Sequence, residues 1–242
     1  MSGTLTLANV LDDAALLSLE HQLRLEEVVG RHNWHMDLRE GLFEFTGSRN
    51  LRCTRVHLLG SAAPGPQSWL WAWANPTGYS ESLTAASVKV REFGQQYGIP
   101  ELASAEIPFT AVPGGPADFR LEPARVASTL LDAAKVVSGV WTSYHADVGR
   151  GTRAAFLLEH PEFQLPPPAF PRVMRILQQG LAEMPLRDQR RAIHSYARLR
   201  QLGAAFNHDY TELSITGPGF GIQVSFDPQG RVSNMSATTT PA

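Results

Sequence analysis

The chain has 242 residues, 43% of them hydrophobic and 18% charged, with 21 Lys and Arg against 23 Asp and Glu for a formal net charge of −2. That length fills one large core or two modest ones and excludes a disordered chain, and the balanced charge excludes a global basic field that would recruit nucleic acid or an anionic membrane surface. The single cysteine, Cys53, excludes an intramolecular disulfide and any zinc site built from several cysteines.

The N-terminal stretch MSGTLTLANVLDDAALLSLE has neither the basic nor the apolar region of a secretory signal, and no apolar run nears the roughly 20 residues of a membrane helix. A soluble, cytoplasmic protein is expected. Leu11–Val29 reads as a helix, with Leu16, Leu19 and Leu23 on one stripe and Gly30 as its C-terminal cap. Strands follow in NWHMDLREG, LFEFTG, RCTRVHLLG and QSWLWAWANP. A second helix is predicted over Glu81–Tyr97, its stripe running through Ala86, Val90, Phe93 and Tyr97 to stop at Gly98 and Pro100. AVPGGPADFRLEP interrupts the pattern, and a seam at 111–123 divides one compact unit, 1–242, into lobes 1–110 and 124–242.

Beyond it Pro123 suits a first helical turn, Val126, Leu130, Ala133 and Val137 repeat the helical spacing, and Gly139 ends it. VWTSYHADV and TRAAFLLEH then make a hairpin through GRG, and LPPPAFP is a second breaker. Phe170, Val173, Leu177, Leu181 and Met184 form another helical stripe, followed by an arginine-rich helix over Arg187–Leu202 that Gly203 closes. FNHDY reads as a loop. A meander ends the chain: TELSIT, FGIQVSF and RVSNMSA, joined by GPG and by DPQG, the latter with the Asp, Pro and Gly of a type I turn. Val232 and Met235 share a face only if a bulge intervenes. Helices mixed with hairpin-connected strands predict an α+β fold of antiparallel sheets packed with amphipathic helices, in which two related lobes are conceivable.

Three sets of residues invite a functional reading. Trp69, Trp71 and Trp73 project from one face of a strand, and each indole buries about 150–250 Å². Exposed together they would make a patch of roughly 500 Å², so the face is either sheet core or the wall of a ligand pocket, with core the more usual fate of large aromatics. His145 and Asp147 alternate with Ser143 on one strand face and, with Tyr144, are the candidates for general acid–base chemistry, although residues two apart on a strand stand nearly 7 Å from each other, about twice a hydrogen bond. The third set is an asymmetry. Asp12, Asp13, Glu20, Glu26 and Glu27 crowd the first thirty residues, while Arg172–Arg200 holds seven arginines. Arg187, Arg191 and Arg198 along one face would meet an acidic partner or the acidic first helix.

Other chemistries lack their signatures. There is no G-x-S-x-G, Walker or H-E-x-x-H motif, and GPGFG joins two strands without opening a helix. His32, His35 and Asp37 are a thin metal signal, because His32 and His35 point to opposite faces of a strand. Neither metal nor cofactor is implied.

WLWAWANP, preceded by HLLGS and followed by FGQQYGIPEL, resembles the hallmark block of a bacterial family known only as a domain of unknown function. The resemblance continues more faintly through TRAAFLLE, RRAIHSYA and SFDPQGRVSNMSA. Where that family tends to a glycine-rich turn and paired tyrosines before TRAAFLLE, this chain has only Tyr144 beside Ser143. The resemblance implies company at the level of fold and no catalytic residues. A module binding a protein partner or an apolar small molecule is the expected function, and a small acid–base enzyme on an acyl or aromatic substrate is the alternative.

Overall fold

The first helix begins where two side chains cap it reciprocally: the Asn9 N–H donates to the Thr6 hydroxyl, and the Thr6 N–H donates to Asn9 Oδ1. This cap starts α1 a turn before the expected Leu11, at Leu7–Val29. The structure, a computed structural model, describes residues 4–113 and 122–239, so residues 114–121 of the expected seam lie outside the described residues. The chain divides into two compact units. One holds the residues up to Val10 together with His21–Gln164, and the other holds Leu11–Glu20 together with the chain from Leu165. The boundary after Gln164 lies at the LPPPAFP breaker. No helix among the described residues is long and apolar enough to cross a membrane.

In the first unit β1 (His32–Asp37), β2 (Leu42–Gly47) and β3 (Leu51–Arg52) form a three-stranded antiparallel sheet. A five-stranded antiparallel sheet comprises β4 (Arg55–Ala63), β5 (Ser68–Trp71), β6 (Glu106–Pro108), β7 (Ser143–Asp147) and β8 (Arg153–Glu159) in the order β6-β5-β4-β8-β7. Register and alternation put Val56, Leu58, Tyr144, Ala146, Ala154, Phe156 and Leu158 on one face, packed with Phe43 and Phe45 of β2 and Leu25, Val28 and Val29 of α1. The opposite face carries Ala155 and Leu157. Helix α4 (Pro123–Ser138) contacts β4, β7 and β8 there and packs on α2 (Glu81–Tyr97). Both helices end on left-handed glycines, Gly98 and Gly139, as expected. The short helix α3 (Pro100–Ala103) closes against α2.

The tryptophan segment departs from the sequence expectation. Trp69 and Trp71 lie on β5 and have no exposed surface, their rings edge-to-face at 5.3 Å. The strand stops at Trp71, and Ala72–Ala74 winds into a 3-10 turn, so Trp73 is not on the same extended face. The cause is loss of partners. Pairing of β4 with β5 ends at Gly60↔Trp71 beside a bulge after Leu58, and β6 runs out at Glu106↔Leu70. Gly60 also makes room for the indole, since a Cβ there would stand 2.6 Å from Trp69 Cζ2.

The second unit is a four-stranded antiparallel sheet with α5 (Phe170–Glu183), α6 (Gln189–Leu199) and the Leu11–Glu20 segment of α1. The strands β9 (Gly203–Phe206), β10 (Glu212–Gly217), β11 (Phe220–Phe226) and β12 (Val232–Thr239) run in the order β12-β11-β10-β9. Leu213, Ile215, Ile222, Val224 and Phe226 are buried, and the alternate residues Glu212, Ser214 and Gln223 join one another by hydrogen bonds on the other face. The Gly230 N–H donates to the Asp227 carbonyl as the type I turn requires, and Ser233 is the extra residue that lets Val232 and Met235 share a face. Two expectations need correction. The arginine-rich helix spans only Gln189–Leu199, and Gly203 does not close it but opens β9, a strand absent from the sequence reading that takes in Phe206 of the expected FNHDY loop. The reversal is made at Gln201, in a left-handed conformation with φ 58.

Candidate functional site

At one end of the five-stranded sheet the β4–β8 ladder brings polar side chains together. Arg55 pairs with Glu159 in register and His57 with Leu157, so alternation puts Arg55, His57 and Glu159 on one face. His57 is 8% exposed, and its Nε2–H donates to Glu159 Oε1 at 2.8 Å, while Arg55 Nη1 lies 3.9 Å from the same oxygen. Because a carboxylate only accepts, this bond fixes the proton of His57 on Nε2, and Nδ1 is buried without a partner. Thr54 ties the strand ends by donating both its N–H and its hydroxyl to the Glu159 carbonyl, each at 2.8 Å.

Two cavities flank this pair. One, of about 350 Å³, is lined by His21, Trp141, Thr142, Glu159, His160 and Phe163 among others. Trp141 and His21 stack there at 6.1 Å and 22° between planes. His160 accepts the Glu162 N–H at Nδ1, 3.2 Å away, so its neutral ring carries the proton on Nε2. An aromatic wall, a carboxylate acceptor and an imidazole therefore border a space within the range of small-molecule sites, about 300–1,000 Å³. The other cavity, of about 490 Å³, is lined by Arg39, Glu40, Arg55, His57, Ser80 and Ser82 at the start of α2, with Thr54 common to both.

The residues singled out from the sequence fall elsewhere. Trp69 packs under Gly60, Trp71 donates its indole N–H to the Glu101 carbonyl at 3.2 Å, and Trp73 lies under the Arg91 guanidinium at 4.6 Å. Tyr144 is on the opposite face of β7 from His145 and Asp147, ringed by Phe43 and Phe45 at 5.5 and 5.3 Å. Burial raises its pKa, with Arg153 opposing. His145 has its pKa lowered by burial and then by Arg153, and its Nδ1 has no partner. Asp147 accepts the Gly149 N–H at 2.8 Å and lies 3.8 Å from Arg153. Among the described residues no hydrogen bond joins these three. His32 is turned onto Phe45, and no group of three or more His, Cys, Asp or Glu among the described residues could hold a metal. The Cys53 thiol is pushed up to about 12 by burial.

Of the three arginines expected along one face, Arg191 and Arg198 stand two turns apart in α6 and share a face, and Arg187 lies before the helix. Arg191 grips Asp13 of α1 through Nε at 2.8 Å and through Nη2, and this hydrogen bonding raises its pKa. Arg187 precedes α6 and donates its backbone N–H to Asp12, while Arg198 is exposed in the last turn. The acidic and basic stretches nonetheless meet inside the second unit. Glu20 is fully buried, with Arg172 Nε and Arg200 Nε each 2.9 Å from its carboxylate and the Tyr196 hydroxyl donating at 3.0 Å. Burial and Glu20 hold the Tyr196 pKa far above that of free tyrosine.

Sequence reasoning missed His57, Glu159, His160 and His21 as a site. The available signal was a histidine amid the apolar residues of VHLLG and the polar Glu-His pair closing AAFLLEH. The strand expected over VWTSYHADV includes Trp141, but β7 starts at Ser143 and leaves Trp141 on the connection from α4, where it can wall a cavity.

The model of a family of unknown function, DUF6882, matches residues 8–161. The chain belongs to that family. The DUF6882 match takes in the WLWAWANP block, TRAAFLLE and both His57 and Glu159, and it stops three residues before the first unit does at Gln164. RRAIHSYA and SFDPQGRVSNMSA, read above as part of the resemblance, lie outside the matched residues. No curated protein and no solved structure matches the chain.

Proposed function

We propose that this DUF6882 chain is a soluble, intracellular binding module that takes a small planar molecule with a polar edge into the Trp141 cavity. The observation supporting this reading is the stacked Trp141–His21 pair facing Glu159 and His160 across about 350 Å³. Trp141 would cover the ring of the ligand, Glu159 would accept its N–H groups, and the Nε2–H of His160 would donate to its carbonyl. The buried Trp69 and Trp71 serve this function indirectly, as the packing that holds the sheet.

Nicotinamide, a neutral heteroaromatic amide, is a suitable first probe, with benzoate as its anionic counterpart. Saturable quenching of tryptophan fluorescence by nicotinamide, lost in Trp141→Leu and weaker with benzoate, is the expected outcome. Quenching unchanged in Trp141→Leu would reject the cavity as its source. The alternative, a small acid–base enzyme on an acyl or aromatic substrate, draws support from the His57–Glu159 hydrogen bond beside the same cavity. Hydrolysis of 4-nitrophenyl acetate abolished by His57→Gln with the fold intact would favour it.

A further inference from the structure

We propose that the second cavity, at the start of α2, is a binding site for a phosphate group carried by a small molecule. The inference goes beyond the Trp141 cavity and does not depend on it. Three independent features converge on this space of about 490 Å³. Arg39 and Arg55 supply two guanidinium groups, and Arg55 is only loosely engaged, its side chain 69% exposed and 3.9 Å from Glu159. The second feature is a helix end left open. Ser80 makes no side-chain cap to α2; its hydroxyl lies 3.2 Å from that of Ser82, and its carbonyl takes the Leu83 and Thr84 N–H groups. The N–H groups of Glu81 and Ser82 are therefore not capped by a side chain, at the positive end of a 17-residue dipole.

The third feature is His57. Its side chain is nine-tenths buried in the cavity wall, Nε2 is committed to Glu159 on the side of the other cavity, and Nδ1 has no partner. A bare nitrogen buried in this way is costly unless something pairs with it. With the Nε2–H donating to Glu159, Nδ1 is an acceptor, and the P–OH of a singly protonated phosphate beside it would donate to it. Against these stands Glu40, the acidic residue that lines the same space. A further cavity of about 670 Å³ shares Arg39 and Ser80 and leaves room for the rest of the ligand.

Inorganic phosphate is the probe, titrated into the full chain by calorimetry and by thermal shift, with chloride at matched ionic strength as the reference. Arg55→Gln and Arg39→Gln should each weaken phosphate about tenfold, the usual loss of a charge-assisted hydrogen bond. Glu40→Gln should tighten it several-fold, on the order of one removed repulsion. All three side chains are solvent-accessible, so circular dichroism should show the fold unchanged. Opposite signs for the arginine and glutamate variants, with Trp141→Leu binding phosphate normally, support the site. No phosphate effect beyond that of chloride, or equal effects in wild type and all three variants, would overturn it, whatever nicotinamide does at Trp141.

Discussion

His145 shows how a single residue can be conspicuous in the sequence and still have a role that only its surroundings define. Its alternation with Asp147 suggested catalysis, but Asp147 is spent on Gly149 and Arg153, and the same two-residue period turns Tyr144 away. What remains is a half-buried imidazole whose pKa is lowered, first by burial and then by Arg153. The folded chain resists protonating it, whereas the unfolded chain takes the proton near pH 6.5, so its contribution is full above that value and is lost as pH falls below it. His194, lowered by burial and by Arg198 against the opposing Asp13, acts in the same direction. His145→Gln should therefore lose less Tm than wild type between about pH 7.5 and about pH 5.5, followed by scanning calorimetry. Identical losses would mean that His145 is not a source of the acid sensitivity.

At the scale of elements, local periodicity was a good guide wherever one partner surface decided burial. The span of α2 and its glycine cap, the start of α4 at Pro123, the hairpin through Gly149–Gly151 and the bulge near Val232 were all legible. The face of α2 was less so. Phe93 and Tyr97 pack on each other near solvent, centroids 4.5 Å apart and rings tilted by 46°, and the buried positions are Leu83, Thr84, Ala86, Ser87, Val90 and Gly94. Gly94 is buried because α3 crosses it: an added Cβ would stand 2.7 Å from Ala103 N and Leu102 C, both backbone atoms that cannot swing aside. Ala in place of Gly in a helix ordinarily gains about 1 kcal/mol, but overpacking against backbone costs about 1–3 kcal/mol. Gly94→Ala should thus destabilise by about 1 kcal/mol in urea unfolding, with exposed Gln95→Ala as the near-neutral control. Stabilisation by Gly94→Ala would show that α3 yields.

Across the whole molecule, the charge asymmetry seen in the sequence is resolved within the second unit. The carboxylates of Asp12, Asp13 and Glu20 come from α1, and their partners come from residues more than 150 positions later. Asp12 is buried enough to have its pKa raised despite accepting two backbone N–H groups from Arg187 and Asp188. Breaking a buried pair by removing one partner costs about 3–5 kcal/mol, and residues 11–20 also supply Leu16 against Gly180. A fragment of residues 165–242 should therefore show no cooperative thermal transition by circular dichroism, and a peptide of residues 4–23 should restore one. A fragment that melts cooperatively alone would show that the sheet and its two helices suffice.

The helices α2, α4 and α5, the alternation of β10 and β11 and the stops at Gly98 and Gly139 were readable from neighbours along the chain, because each depends on contacts within a few residues, whereas the short α3, β6 and β9 were not. Nor were the cavities and the ion network. His57 and Glu159 are 102 positions apart and meet only because β4 lies beside β8, and Glu20 finds Tyr196 across 176 positions. No local period encodes which strand will neighbour which. Trp73 left the expected stripe for the same reason: the chain stays extended only as far as adjacent strands supply hydrogen bonds, and there the pairing with β4 stops at Gly60, beside the bulge after Leu58, while β6 reaches no further than Glu106 opposite Leu70.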